Sequence, residues 1–449
     1  MMHGTNPLFS LRTSSTSWLA LVATTIAASG ALARAQSLEE RLDALEKQNQ
    51  SLQQQLDAIS QDVEAIDLGG LVPPLSEAKR GVGQGAAKVY DIEQGLSIGG
   101  YGEFLFQQRS GRTDQSDALR AILYFGYKFN ERWVFNSEIE WEHGSTGAAT
   151  PRQQNGSVSL EFGYLDYLHS DLVNVRAGLL LSPMGLINQL HEPTTFLPAS
   201  RPQTELRIIP STWREMGLGL YGDVGDFSYQ TYLMTALDGE GFSDRGLRGG
   251  RQKGARSASD DFSVITRVDY VGVNGLTLGG SIGVGDHGQD GLAPAPASAP
   301  AGSPPVEIGS LPAVMWEAHL DYRAGPWTLR ALYAGAELSG VDSFNSALSK
   351  APDDGLAESM FGYYGEVGFD VLSVLAPGQR AQLTPFFRYE RVDTQAAVPT
   401  GYVRDGAQDD EIFTFGVNYK PVPQVVVKVD YESWDQDFDR LNLLFGYVF

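Results

Sequence analysis

From Leu96 onward the chain alternates apolar and polar residues with period two. Leu96, Ile98, Gly100, Gly102, Phe104 and Phe106 fall on one face of an extended segment, and Ser97, Tyr101, Glu103 and Gln107 on the other. The same alternation recurs over residues 119–129, 133–141, 158–168, 173–181, 216–222, 227–235 and 262–270. It continues over 276–284, 314–322, 327–333, 361–371, 383–389, 411–419, 425–431 and 441–449. A strand with one apolar and one polar face suits a wall between lipid and water. The pattern predicts an all-β fold of 16 antiparallel strands, an even number as a closed bacterial transmembrane β-barrel requires.

The connections test this independently, because such barrels alternate short turns with long loops. Tight links are expected at residues 130–131, 170–171, 223–226, 273–275, 323–326, 376–379 and 420–423, each between two longer polar loops. A β-sandwich or solenoid would not give that alternation. Trp133 and Trp141 point outward about 26 Å apart along one strand, or about 20 Å in height after a tilt of about 40°, which spans two aromatic girdles. The alternation runs to Leu441, Leu443, Phe445, Tyr447 and Phe449, an aromatic closing strand of the kind found in bacterial outer-membrane barrels.

Before Leu96 the period changes. Leu38, Leu45, Leu52, Ile59 and Ile66 occupy heptad position d, and Leu42, Asn49, Leu56 and Val63 occupy a. This predicts a short α-helical coiled coil over residues 37–67, with one buried Asn in the seam to fix register. Arg41 at g and Glu46 at the next e can pair between parallel chains. The alternative is a single amphipathic helix lying on the barrel. Residues 68–95, with Pro73 and Pro74, read as a linker. Residues 1–35 carry Arg12, an apolar stretch from Trp18 to Ala28 and small residues at Ala33 and Ala35, the pattern of a secretory signal peptide cleaved after Ala35. The barrel is then 96–449.

Composition narrows the alternatives. After the first 36 residues no run of about 18 apolar residues is available for a membrane helix. There are no cysteines, so backbone hydrogen bonding rather than disulfides must hold an exported chain together. A formal net charge of −22 argues against nucleic acid as a partner. Gly95-Leu96-Ser97-Ile98-Gly99 and Gly279-Gly280-Ser281-Ile282-Gly283 match the G-x-S-x-G pattern, and Gly217 to Gly222 matches G-x-G-x-x-G. Each lies inside an alternating strand with no helix following, so neither a nucleophile elbow nor a phosphate-binding helix start is formed. The six histidines show no close pair at ligand spacing. His319, between Glu317 and Asp321, reads as part of a solvated lumen row. No catalytic residue, metal or cofactor is expected.

Strand parity assigns side chains to the lumen. It places Arg120, Lys128, Arg176, Arg267, Arg330, Arg388 and Lys428 inside, a set that could form an anion path. Glu103, Glu138, Glu140, Glu142, Glu317, Asp321, Glu366, Asp430 and Glu432 share that face, so the lumen is mixed. The third external loop, residues 183–214, carries five prolines and is stiff enough to fold inward as a constriction loop, whose candidate residues are Arg201, Glu205, Arg207 and Arg214. The fourth adds Arg245, Arg248, Arg251, Lys253 and Arg256, where a solvated surface is the alternative reading.

Ser76 to Arg80, Lys88-Val89-Tyr90, Gly95 to Glu103, Asn174 to Gly185 and the stretch from His191-Glu192-Pro193 to Trp213-Arg214-Glu215 resemble the phosphate-selective porin O and P family. The resemblance covers most of residues 76–449 and is most specific before residue 270. It implies a sixteen-stranded, homotrimeric passive channel in the bacterial outer membrane, with the third loop folded inward, and it is also similar to porins that carry a periplasmic coiled coil. The phosphate specialists use clustered lysines, whereas Lys128 and Lys428 are the inward candidates here. The expected solute is therefore a small anion, phosphate or a carboxylate. The alternative is a structural barrel, plugged by its loops, whose coiled coil anchors envelope partners.

Overall fold

The computed structural model describes residues 43–55, 77–147, 155–295, 299–300 and 302–449. The chain divides into two units, residues 1–68 and residues 69–449. In the first, residues 43–55 form a helix whose Leu45 and Leu52 are exposed. Those two and Asn49 lie on one face by their spacing. Leu42, Leu56, Ile59 and Val63 lie outside the described residues, as does the signal segment.

The second unit is a closed antiparallel barrel. Its first nine strands are β1 (Gly95–Arg109), β2 (Gln115–Lys128), β3 (Trp133–Glu142), β4 (Val158–Leu168), β5 (Asn174–Leu181), β6 (Arg214–Val224), β7 (Phe227–Thr235), β8 (Phe262–Tyr270) and β9 (Leu276–Asp286). A two-residue ladder, β10 (Leu292–Ala293) with β11 (Val306–Glu307), sits in the loop that follows. The ring continues with β12 (Pro312–Ala324), β13 (Trp327–Leu338), β14 (Ser359–Phe369), β15 (Gln382–Ala397), β16 (Asp409–Val422), β17 (Val425–Trp434) and β18 (Arg440–Val448), and β18 closes on β1. Phe104 pairs with Phe445 across that seam. Every segment that alternates in the sequence is a strand of this ring, and several run further at the long-loop end, β15 to Ala397 and β13 to Leu338. The link between β14 and β15 holds a short helix, Leu372–Leu375, rather than a bare turn.

The two faces of the wall differ as the alternation requires. Phe104, Trp133, Trp141, Leu218, Phe262, Phe415 and Leu441 are exposed on the outside. Water does not tolerate an apolar surface of that extent, whereas a bilayer covers it and leaves no backbone group unpaired in a closed ring. The buried apolar cluster lies inside the barrel, where loop residues Met184, Ile208, Trp213, Leu237, Phe242, Leu247, Leu311 and Phe344 pack together. Parity breaks where the pairing slips, and β4 is one such place. The pairing of β3 with β4 shifts register between Glu138 and Ile139, and the extra residue turns both Glu161 and Phe162 inward.

The stretch expected as a linker is, from residue 77 on, folded inside the barrel instead. Lys79 and Val82 exchange two backbone hydrogen bonds of 3.1 Å, the chain makes a helical turn at Gln84–Ala87 and another at Lys88–Tyr90, and then enters β1. Val82, Ala86, Ala87, Lys88 and Val89 are buried. Inward glycines give the backbone room: a Cβ on Gly126 would stand 2.5 Å from the Val89 Cβ, and one on Gly99 would stand 2.6 Å from the Gly85 carbonyl oxygen. Pro73 and Pro74 lie outside the described residues.

Candidate functional site

Loop L3 (residues 182–213) enters the lumen from β5 and runs along the inside of the far wall. What holds it there is a row of wall cations donating to its carbonyl groups. Lys420 Nζ reaches the Thr194 carbonyl at 2.8 Å, Arg330 the Thr195 carbonyl at 3.0 Å, Lys428 the Pro198 carbonyl at 2.8 Å and Arg388 the Ser200 carbonyl at 3.1 Å. Lys428 Nζ also stands 3.7 Å from the centre of the Phe196 ring. Wall carboxylates take the loop's donors: Asp430 accepts the Ala199 N–H at 2.6 Å, and Glu390 the Thr204 N–H at 2.6 Å. A loop whose backbone leaves regular structure needs such partners when buried. Lysine and arginine stems reaching from strand positions of fixed spacing supply them.

The sequence-predicted anion path is therefore largely engaged in other work. Arg330, Arg388 and Lys428 dock L3. Arg176 makes a two-pronged pair with Asp166 at 2.8 and 2.9 Å, Arg267 pairs with Asp269 at 2.8 Å, and Arg120 stands 2.8 Å from Glu103 and 3.6 Å from Glu140. His319 bridges Glu317 at 2.8 Å and Asp269 at 3.0 Å, extending the Arg267 pair into a buried network. Of the constriction residues, Glu205 accepts the Tyr364 hydroxyl at 2.6 Å and the Ile187 N–H at 2.7 Å. Arg207 pairs with Asp410 at 2.6 Å, and Arg214 with Glu161 at 2.9 Å.

Arg201 differs from these. Its guanidinium forms no hydrogen bond or ion pair with a described residue, with Nη2 buried, and the same holds for Arg248, with Nη1 buried, in loop L4 (residues 236–261). Burial first, and then the neighbouring charge of Arg120, hold the Arg201 guanidinium below its ordinary value. Arg248 is pushed down to about 9 by burial and by Arg251, Arg201 and Arg120, and Arg251 to about 10 by burial and Arg214. Like charges held in one low-dielectric place favour a counter-ion between them. The cluster combines a residue read from the sequence as constriction, Arg201, with one that parity could not place, Arg248. The signal for the latter was the run of five cations in the fourth loop.

Two cavities flank L3. The one at the long-loop end, about 660 Å³, is lined by Arg112, Arg207, Arg245 and Arg248 with Asp410, Asp437 and Phe438. The other, about 320 Å³ at the short-turn end, is lined by Arg323, Arg330 and Lys420 with Glu366 and Asp370. They share no lining residue, and the L3 residues between their L3 linings, 198–202, belong to neither. Ser97 and Ser281 of the G-x-S-x-G matches lie within β1 and β9, Ser281 donating to Glu317 at 2.6 Å.

No protein-family model matches the chain. It is 36% identical over 376 residues to an uncharacterized protein of Aquifex aeolicus strain VF5, a match that covers 81% of this chain and 81% of that protein. Among solved structures it is similar to a loop L8 deletion mutant of OmpT, an outer membrane protein of Vibrio cholerae, with a TM-score of 0.50 and 11% identity over 79% of this chain and 99% of that one. It is also similar to OmpF of Salmonella typhi, solved in complex with daunomycin, with a TM-score of 0.50 and 12% identity over 79% of this chain and 98% of that one. At those identities the likeness speaks to the shared barrel fold.

Proposed function

We propose, from the premise that this chain belongs to one family with the uncharacterized Aquifex aeolicus protein, that it is a passive diffusion channel of the bacterial outer membrane that favours small anions. The single observation that carries the ion preference is the pair of guanidinium groups, on Arg201 and Arg248 beside Arg120, that are without a hydrogen bond or ion pair among the described residues. Every other arginine of the sequence-predicted path and constriction has a carboxylate or carbonyl partner, which leaves these two guanidinium groups to pair with an anion. Lys128 and Lys428 are bound to carbonyl groups, which leaves phosphate without the clustered lysines its specialists use and makes a carboxylate an equal candidate. In this reading residues 1–35 are a signal peptide, residues 37–67 are a periplasmic coiled coil, and three copies of the barrel assemble in the outer membrane. The exposed face of Leu45, Asn49 and Leu52 supports the coil.

The test is the reversal potential of the purified protein in planar bilayers under a KCl gradient. We expect reversal on the chloride side, block by added phosphate or dicarboxylate, and a chloride preference reduced severalfold in Arg201→Gln and Arg248→Gln. Conductance without ion preference would remove the anion clause. A second reading, a structural barrel, draws on the separation of the two cavities by L3. Silence of the full chain in every preparation would favour it.

A further inference from the structure

We propose that residues 79–92 are a built-in plug of the short-turn half of the lumen, so that this segment, together with L3, sets the width of the pore. The proposal rests on the channel reading and adds to it an element of the chain that limits flow.

The segment is seated through both its backbone and its side chains. Gln84 and Gly85 donate their N–H groups to the two carboxylate oxygens of Glu192 in L3, at 3.0 and 2.8 Å. Asn136 of β3 donates to the Ala86 carbonyl at 2.9 Å, and Lys128 of β2 to the carbonyls of Tyr90 and Ile92 at 3.2 and 2.6 Å. Lys88 Nζ donates to the Ile98 carbonyl at 3.1 Å. The Tyr90 hydroxyl donates to Asp166 at 2.6 Å and accepts from Arg176 at 3.1 Å, inside a nest of Tyr164 and Tyr221. These partners come from β2, β3, β4 and β5, so the segment covers one side of the lumen. The 320 Å³ cavity lies on the other side, against β12 to β16. The gaps left by Gly99 and Gly126 are filled by the segment's own backbone and by Val89. Glu192 joins the two narrowing elements, because the carboxylate that receives the plug belongs to L3.

The experiment uses the full chain. Gly126→Leu places bulk where Val89 sits, at an inward strand position that a leucine can occupy once the segment has left. We expect its unitary conductance in planar bilayers to rise at least twofold, with chloride preference retained. A silent parent beside a conducting Gly126→Leu would support the plug equally. Because that variant could also disturb the wall, a second measurement uses the absence of native cysteine. Val89→Cys in the folded barrel should resist a small thiol reagent in otherwise native protein and react at least tenfold faster when combined with Gly126→Leu. Unchanged conductance with chloride preference intact, or fast labelling of Val89→Cys alone, overturns the plug and leaves the channel reading standing. Silence of every variant overturns both.

Discussion

A guanidinium in a barrel wall can hold the wall or greet a solute, and its hydrogen bonds separate the two roles. Arg176 is saturated by Asp166, the Tyr90 hydroxyl and Tyr232. Removing one partner of a buried pair leaves a bare charge, at about 3–5 kcal/mol. Arg176→Met should therefore lower the stability of the barrel in lipid vesicles by about that amount, read as a reduced urea midpoint, while chloride preference stays at the parent value. Arg201→Gln should do the converse, because its Nη2 holds nothing in place. Glu192 gives a pH signature. Burial raises its carboxyl from an ordinary 4.5 to about 7, although the Gly85 and Gln84 N–H groups oppose the shift. Between those values the folded chain holds a proton that the unfolded chain has released, so stability falls as pH rises from about 4.5 to about 7 and levels off above. Each unit of difference is worth about 1.4 kcal/mol. In Glu192→Gln the slope attributable to this group disappears; thermal melting in detergent at pH 5 and pH 8 would show it, and an unchanged slope would assign the proton to another residue.

At the scale of elements, the strands were legible because a two-residue period leaves a trace in every one of them. Parity failed where the backbone added a residue. At β4 the bulge opposite Glu138 and Ile139 turned Glu161 inward, and with it the partner of Arg214. The trace it leaves is a slip of phase, from Val158 and Leu160 outward to Leu165 outward, and the inward aromatic rings of Phe162 and Tyr164 hide it by continuing the even-numbered apolar run. The segment before β1 escaped for a different reason. Glycine and alanine there look like a linker, and it is the matching inward glycines on β1 and β2, Gly99 and Gly126, that tell the difference. The heptads make a claim that can be checked in isolation. A peptide of residues 37–67 should associate at high micromolar concentration by sedimentation, and Asn49→Ile should raise its melting temperature by several degrees while mixing its stoichiometries. A peptide that stays monomeric would return this stretch to the single amphipathic helix.

For the molecule as a whole, the outside was easier to read than the inside. Lipid imposes one requirement on every outward residue, and the sequence repeats the answer from strand to strand. The lumen imposes a different requirement at each position, because loops from one end and the N-terminal segment from the other meet there. Inward charges could be assigned by counting. Which of them face a carbonyl, a carboxylate or empty space depends on where L3 comes to lie, and that is fixed by contacts more than 180 residues apart in sequence, such as Arg388 with Ser200.

The seam between β1 and β18 ties these scales to time. Gly100 and Phe449 exchange backbone hydrogen bonds of 3.0 and 2.8 Å, and the residue beside them, Gly99, is where the inner segment presses its Gly85 carbonyl against the wall. The first strand made and the eighteenth thus join at the spot where the inner segment lies against the wall. L3 likewise docks on strands β13 to β17, which follow it in synthesis by more than a hundred residues. Closure therefore bears on more than the wall: the contacts that seat L3 and the inner segment exist in full only when strands made early and strands made late stand in one ring.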